Sequence, residues 1–313
     1  MKISIIVPVY NEKENLDIFL EELQFSFTKQ EVEKEVIFID DGSTDGSTKI
    51  IKKLTESDPS VKAIIFKINH GQTAAMSAGI KFATGDIIIP MDADLQNDPA
   101  DIWPLVDKLN EGYDLVSGWR KNRKDKFISR RLPSILANKL ISYVTDVNLH
   151  DYGCTIKAYK KNIIDDVNLY GEMHRFIPIY IKQLGGKITE IVVNHRERKY
   201  GKSKYGIGRV SRVMLDLLVV KFLNNYITKP IHFFGGAGVL SFLLGMASFT
   251  IALVLKFSGY ASLNRTPLPL IGVFFSLIGF QLILMGLLAE IIMRNYFESN
   301  NKTTYLIKEK LNL

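Results

Sequence analysis

Gly85–Gln96, GDIIIPMDADLQ, is a short apolar run followed at once by two aspartates one residue apart. Ile87, Ile88 and Ile89 read as a strand, and Pro90 closes it. Asp92 and Asp94 therefore fall just beyond a strand's C-terminal end. The same arrangement recurs upstream. Ile3 to Val9 is an apolar run that leads into Tyr10-Asn11-Glu12, and Val36 to Ile39 leads into Asp40-Asp41-Gly42-Ser43. Val61 to Phe66 is a further strand. Between these runs, Asn11–Phe27 reads as a helix, Ser43 or Thr44 is placed to cap a second helix ending near Glu56, and a third occupies about 72–83. Strands alternating with helices predict an α/β fold, with a mainly parallel sheet covered on both faces. Such sheets bind ligands beyond the C-terminal ends of their strands, where these acidic residues collect.

Adjacent carboxylates repel one another, so a fold that gathers them needs a cation or several donors to offset the charge. Alternate residues of an extended segment share a face, but a turn would splay Asp92 and Asp94, so the two need not hold one ion together. One of them can bind Mg²⁺ or Mn²⁺ while the other orients a ribose or a bound water, and Gln96 is a candidate further ligand. The plain alternative is a solvated turn.

The composition changes near residue 230. Residues 231–255 and 268–289 contain no Asp, Glu, Lys or Arg. Each is long enough to cross a hydrocarbon core of ~30 Å. Arg209, Arg212, Lys221 and Lys229 precede the first span, and Arg294, Lys302, Lys308 and Lys310 follow the second, while the connecting loop holds Lys256 and Arg265. The positive-inside rule then places both ends in the cytoplasm. The expected organisation is a cytosolic catalytic domain over 1–204, an interfacial amphipathic helix over 205–229, a transmembrane hairpin over 230–294 with spans at about 231–255 and 268–292, and a cytosolic tail over 295–313. In the helix, Val210, Val213, Met214, Leu217, Leu218 and Phe222 recur at helical spacing.

The remaining composition excludes several classes. A single cysteine, Cys154, forms no internal disulfide, and the five histidines are scattered without zinc spacing. The formal net charge of +7 suits anionic lipid or phosphorylated ligands. No nucleic-acid-binding motif accompanies it. The sequence opens directly into a strand pattern and lacks the features of a signal peptide.

Together PVYNE (8–12), DDGSTDGS (40–47), NHGQTAAMSAG (69–79) and GDIIIPMDADLQ (85–96) resemble glycosyltransferase family 2. The likeness is narrower still to its polyprenyl-phosphate glycosyltransferases, and it extends from the soluble part to the hairpin. The resemblance implies a GT-A type, Rossmann-like sheet in a bacterial inner-membrane protein. It assigns Pro8, Tyr10, Glu12 and Asp41 to the base and ribose of a nucleotide-sugar, and Asp92, Asp94 and Gln96 to the divalent metal and diphosphate. Without it, Pro8 and Tyr10 only shape a strand exit, and Asp40 and Asp41 only cap a helix. Leu149–Cys154, LHDYGC, resembles a segment whose Asp lies near the reacting centre, which makes Asp151 the catalytic candidate beside Asp94. Cys154 reads as a packed residue. Two basic segments, Gly118–Lys124 with Arg130-Arg131 and His195–Tyr205, resemble segments that hold the acceptor phosphate and donor diphosphate. The residues favoured there are Arg120, Arg131, Arg198, Ser203 and Lys204, against a basic face that meets only water or lipid headgroups. Arg175 and His174 resemble residues near the sugar.

The implied reaction moves a hexose from a nucleotide-sugar, with UDP favoured over GDP, to a polyprenyl phosphate. It proceeds by one displacement that inverts the anomeric carbon. A homo-oligomer is implied as well. A processive polysaccharide synthase shares the acidic motifs, but Trp103 and Trp119 do not follow an arginine as its Gln-x-x-Arg-Trp motif requires. A non-catalytic nucleotide-sugar-binding membrane partner is the third reading, and the intact acidic motifs weigh against it.

Overall fold

The computed structural model describes residues 1–28, 30–121, 132–165, 167, 173–199 and 230–299. The expected sites Arg131, Ser203 and Lys204, the amphipathic helix over 205–229 and the end of the tail lie outside the described residues. The chain divides into two compact units, Met1–Leu218 and Val219–Leu313.

The first unit is a seven-stranded sheet with helices on both faces. Its strands are β1 (Lys2–Val9), β2 (Glu33–Asp40), β3 (Val61–Ile65), β4 (Ile87–Pro90), β5 (Leu115–Trp119), β6 (Lys157–Lys160) and β7 (Ile188–Val192). Its helices are α1 (Leu16–Phe27), α2 (Ser47–Ser57), α3 (Gln72–Phe82), α4 (Ile102–Asn110), α5 (Leu132–Thr145), α6 (Lys161–Ile164) and α7 (Ile177–Gln183). The strand order is β3-β2-β1-β4-β6-β5-β7, parallel except where β6 runs against β4 and β5. Alternation along β1 feeds two cores. Ile3, Ile5, Val7 and Val9 pack with Phe19 and Leu23 of α1 and Leu105 of α4, while Ile6 faces Ala75, Met76 and Ile80 of α3. Gly79 lets α3 approach closely: a Cβ there would come within 2.4 Å of the Ile6 side chain.

Two sequence expectations are corrected here. Helix α1 starts at Leu16 rather than Asn11, because Asn11 is left-handed at φ 53°. Its N–H donates to Ser43 Oγ at 2.9 Å and its Oδ1 accepts from Thr44 N at 2.8 Å. Helix α2 starts at Ser47 rather than after Ser43 or Thr44, since that loop is stitched to the β1 exit. Ser47 Oγ accepts from Glu12 N at 3.0 Å, and Asp45 Oδ2 from Lys13 N at 3.1 Å.

The second unit holds α8 (Pro230–Phe257) and α9 (Leu268–Ser299). Both are long and apolar enough to cross a membrane, and only 28% and 17% of their most apolar windows is buried. The core helices of a soluble protein would be mostly covered. They pack antiparallel along a seam of small residues at heptad spacing. Gly238 meets Gly279 and Ile283, and Gly245 meets Gly272 and Ser276. Ser241 and Ser248 donate to the carbonyls of Phe275 and Leu268, each at 2.8 Å. Close backbone approach through small residues is how helices associate where lipid removes the hydrophobic drive. The tail expected from residue 295 begins as helix, because α9 continues to Ser299.

Candidate active site

The chain leaves β1 for β2 and β3 on one side, then returns to lay β4 on the other side of β1. The C-terminal ends of β1 and β4 therefore flank the point where strand order reverses, the place where open α/β sheets form a ligand crevice. Pro8 lies at the end of β1 and Tyr10 and Glu12 follow it there, while Asp92, Asp94 and Gln96 follow β4.

Asp92 Oδ1 accepts from Gln72 Nε2 at 2.9 Å, and its Oδ2 from Thr155 Oγ1 at 2.6 Å. Burial raises its carboxyl above the usual range against Thr155, Arg120, Arg198 and Lys157, all of which favour the charged form. Asp94 is 7% exposed. Its Oδ1 accepts from Gln96 N at 3.1 Å and its Oδ2 from Arg198 Nη2 at 2.5 Å. Burial, and then the Asp92 charge, push its carboxyl up to about 6. The expected compensation is thus visible: two crowded carboxylates are offset by nearby cations. Gln96 Nε2 lies 3.4 Å from the carbonyl of Arg196, tying that residue to the basic segment.

Arg120 follows β5 and binds Asp151 through two contacts, Nε to Oδ2 at 2.7 Å and Nη2 to Oδ1 at 3.0 Å. Gly153 N donates to Oδ1 at 3.1 Å. Burial opposes the Arg120 charge, but the Asp151 carboxylate overrides it and holds the guanidinium charged. Both Asp151 oxygens are committed to protein donors, an arrangement that suits orienting Arg120 more than abstracting a proton. His150 stacks on Trp119, with centroids 4.2 Å apart, and pairs with Glu190, outside this chemistry. Cys154 is buried and its thiol is pushed up to about 11 by burial, so it is packing and not a nucleophile.

The second basic segment runs back along the β4–α4 loop. Asn194 N donates to Asp101 Oδ2 at 2.7 Å, and Arg196 N to the Gln96 carbonyl at 2.9 Å. Arg196 pairs with Glu22 and Asp98. Arg198 then reaches Asp94, and Glu12 at 3.6 Å.

Asp41 is placed differently from a ligand-facing carboxylate. It accepts from His70 N at 2.6 Å, Gly71 N at 2.9 Å and Asn69 Nδ2 at 2.9 Å. It thereby fixes the loop that presents Gln72 to Asp92. Gly42 permits this clamp: it sits at φ +72°, and a Cβ there would lie 2.6 Å from the Ile68 carbonyl carbon. Asp40 caps the turn, accepting from Ser43 N at 2.9 Å and from Thr48 Oγ1.

Gln72, Thr155 and Lys157 were missed by sequence reasoning. Gln72 lies in a quoted motif, and Thr155 stands four residues past Asp151, but neither spacing reveals contact with Asp92. Lys157 is buried, donates to the carbonyls of Tyr152 and Cys154, and has its pKa lowered by burial. His174 Nδ1 meets Thr73 Oγ1 at 2.7 Å, and burial with the Arg175 and Lys157 charges brings it down to about 3, so it is neutral.

Among the described residues, no three His, Cys, Asp or Glu side chains are grouped to hold a metal. The donor set nevertheless fits a hard divalent cation bound by one or two carboxylates together with ligand phosphate oxygens. Such an ion, held by Asp92 and Asp94, would offset the burial and the Asp92 charge that raise Asp94.

The model of the family described as "Glycosyl transferase family 2" matches residues 4–167. The dodecaprenyl-phosphate galacturonate synthase of Rhizobium johnstonii is 40% identical, over 99% of this chain and 93% of its own length. The undecaprenyl-phosphate 4-deoxy-4-formamido-L-arabinose transferase of Klebsiella pneumoniae is 37% identical, over 98% of this chain and 93% of its own. Among solved structures, the glucosyl-3-phosphoglycerate synthase of Mycobacterium tuberculosis, in complex with Mn²⁺, UDP and phosphoglyceric acid, superposes with a TM-score of 0.55 at 15% identity. It covers 71% of this chain and 78% of that one, a likeness of fold.

Proposed function

The chain belongs to glycosyltransferase family 2, and from that premise we propose that it transfers a sugar from a nucleotide-sugar to a polyprenyl phosphate at a membrane. One observation carries the reading. The acidic residues at the strand-order reversal reach both basic segments, Asp94 by its contact with Arg198 and Asp92 by its bond to Thr155, four residues past the Asp151 that holds Arg120. The two full-length relatives, whose names are those of polyprenyl-phosphate sugar transferases, support the same acceptor. UDP is the favoured carrier, and the α8–α9 hairpin gives a membrane anchor suited to a lipid substrate.

The chemistry needs little proton abstraction. A phosphate monoester has a second pKa near ~6 and is already mostly dianionic at neutral pH. Its oxygen attacks the anomeric carbon as the bond from that carbon to the nucleoside diphosphate oxygen breaks, which inverts the configuration. The main obstacle is bringing two anions together, and cations address it. Arg120, oriented by Asp151, faces the acceptor phosphate. Arg198 faces the donor diphosphate. Asp92 and Asp94 would hold Mg²⁺ or Mn²⁺, which when bound supplies charge neutralisation at the leaving diphosphate. Gln72 and Thr155 keep Asp92 in place.

The test is full-length protein in detergent, assayed with undecaprenyl phosphate, Mg²⁺ or Mn²⁺, and a panel of UDP- and GDP-sugars. One polyprenyl-phosphate sugar should form, and Asp94→Asn should abolish its formation and weaken metal-dependent donor binding. Donor binding without transfer to any polyprenyl phosphate would instead favour the non-catalytic reading.

A further inference from the structure

Arg198 joins two motifs that are far apart in sequence. Its Nη2 lies 2.5 Å from Asp94 Oδ2, and its Nη1 3.6 Å from Glu12 Oε1. One guanidinium thus links the carboxylate leaving β1 to the carboxylate leaving β4, the two edges of the strand-order reversal. The contact is not a loose surface pair, because the Arg198 side chain is 22% exposed and that of Asp94 is 9%. The segment is tied down just before it, by Asn194 to Asp101, by Arg196 N to the Gln96 carbonyl, and by the Arg196 ion pairs. The Arg198 side chain extends beyond the last of these ties and can exchange partners without moving the anchored residues.

The electrostatics define what it does there. Asp92 and Glu12 both act on Asp94 with like charge. A positive charge on Asp94 Oδ2 relieves that repulsion, and a divalent cation on the same carboxylate would do so too. Both cannot occupy one carboxylate oxygen at full strength. We propose that Arg198 is the resident counter-ion of the cation seat: it holds Asp94 and Glu12 in the donor-free chain, and a divalent cation displaces it only when a diphosphate arrives to take the released guanidinium. The inference rests on the metal-dependent reading of Asp92 and Asp94. Its consequence is a coupling between metal and nucleotide. A cation alone competes with a tethered charge, whereas a cation with a diphosphate gives that charge a new partner.

The experiment measures Mn²⁺ binding to the full-length protein in detergent, by loss of the free-ion paramagnetic resonance signal, with and without UDP. Arg198→Ala should bind Mn²⁺ without nucleotide about tenfold more tightly than wild type, within the usual range of coupling between sites. The factor by which UDP improves Mn²⁺ binding should shrink by a similar amount. Arg198→Lys should fall between the two. Lys199→Ala removes an exposed positive charge from the same segment while leaving the Arg196 ties intact, and should leave Mn²⁺ binding unchanged. Thermal midpoints check that each variant folds, and Arg198→Gln replaces the alanine variant if it does not. If wild type binds Mn²⁺ with UDP but the Arg198 variants bind free Mn²⁺ no more tightly, the counter-ion role is wrong and the metal site stands. Equal gains from Lys199→Ala would also overturn it, as general electrostatics. If wild type binds no Mn²⁺ under either condition, the metal reading and this inference fall together.

Discussion

Arg120 and Asp151 show why a residue's partner matters more than its type. The Arg120 fork makes two parallel contacts to one carboxylate, a geometry that lysine cannot reproduce. We expect Arg120→Lys to lower the transfer rate about 100-fold, the scale of removing one aimed donor from a reacting charge. Asp151→Asn should cost a similar factor, because the guanidinium loses its orientation. The double variant should be little worse than either single one, since the pair acts as a unit. Initial rates at saturating donor decide this, and additive losses would mean that Asp151 acts on its own. The motif containing Asp151 stood out by its resemblance to a family segment, but its contact with Arg120 was not legible in the sequence. Which side chain faces it depends on β5 and β6 pairing antiparallel, and on Arg120 standing at the end of β5.

At the scale of elements, Glu35 binds the sheet's parallel half together. It begins deep in β2 at 1% exposure and accepts from Ser4 Oγ of β1 at 2.5 Å, Lys62 Nζ of β3 at 2.5 Å and Thr84 N before β4 at 2.6 Å. Burial raises its carboxyl, but those donors overbalance it and bring it down to about 2. A depressed carboxylate stabilises the fold above its unfolded value near ~4.3, and that contribution is lost as pH falls through about 2. Glu35→Gln should therefore lower stability at pH 7 by about 2 kcal/mol, the scale of hydrogen bonds to a charged group. It should also flatten the decline in thermal midpoint between pH 4 and pH 2. The hairpin makes a parallel case. A Cβ at Gly279 would lie 2.8 Å from the Gly238 carbonyl, a backbone atom that cannot step aside. Gly279→Val should destabilise the α8–α9 pair by about 1–3 kcal/mol, as overpacking does. Leu277→Val, at a position 63% exposed, should not. Proteolysis within the connecting loop, followed in detergent, compares the two.

At the scale of the whole molecule, the chain is a family 2 glycosyltransferase domain with two apolar helices, and the positive-inside rule makes a prediction about its orientation that labelling can test. Ser262 is exposed between the helices, whereas Cys154 is buried. Ser262→Cys should be labelled by a membrane-impermeant maleimide from outside intact cells, and a cysteine in the first unit should not. Labelling in the reverse sense would invert the positive-inside assignment. Apolar runs ending in acidic turns determined the α/β order, and two long charge-free stretches marked the apolar helices, because burial and helical length are written in local patterns. Pro8, Tyr10, Glu12, Asp41, Asp92, Asp94 and Gln96 were named as a set by the resemblance of their motifs to a family, not by any local pattern. Their assembly was decided only in three dimensions. The reversal of strand order between β1 and β4 brings Glu12 to Asp94, and Arg198 comes back from more than a hundred residues downstream to bridge them. Asp41 turned inward to clamp a loop because Gly42 lets the backbone of Ile68 approach. Such contacts depend on which strands become neighbours, and that choice is made by packing over the whole sheet rather than by any stretch of sequence.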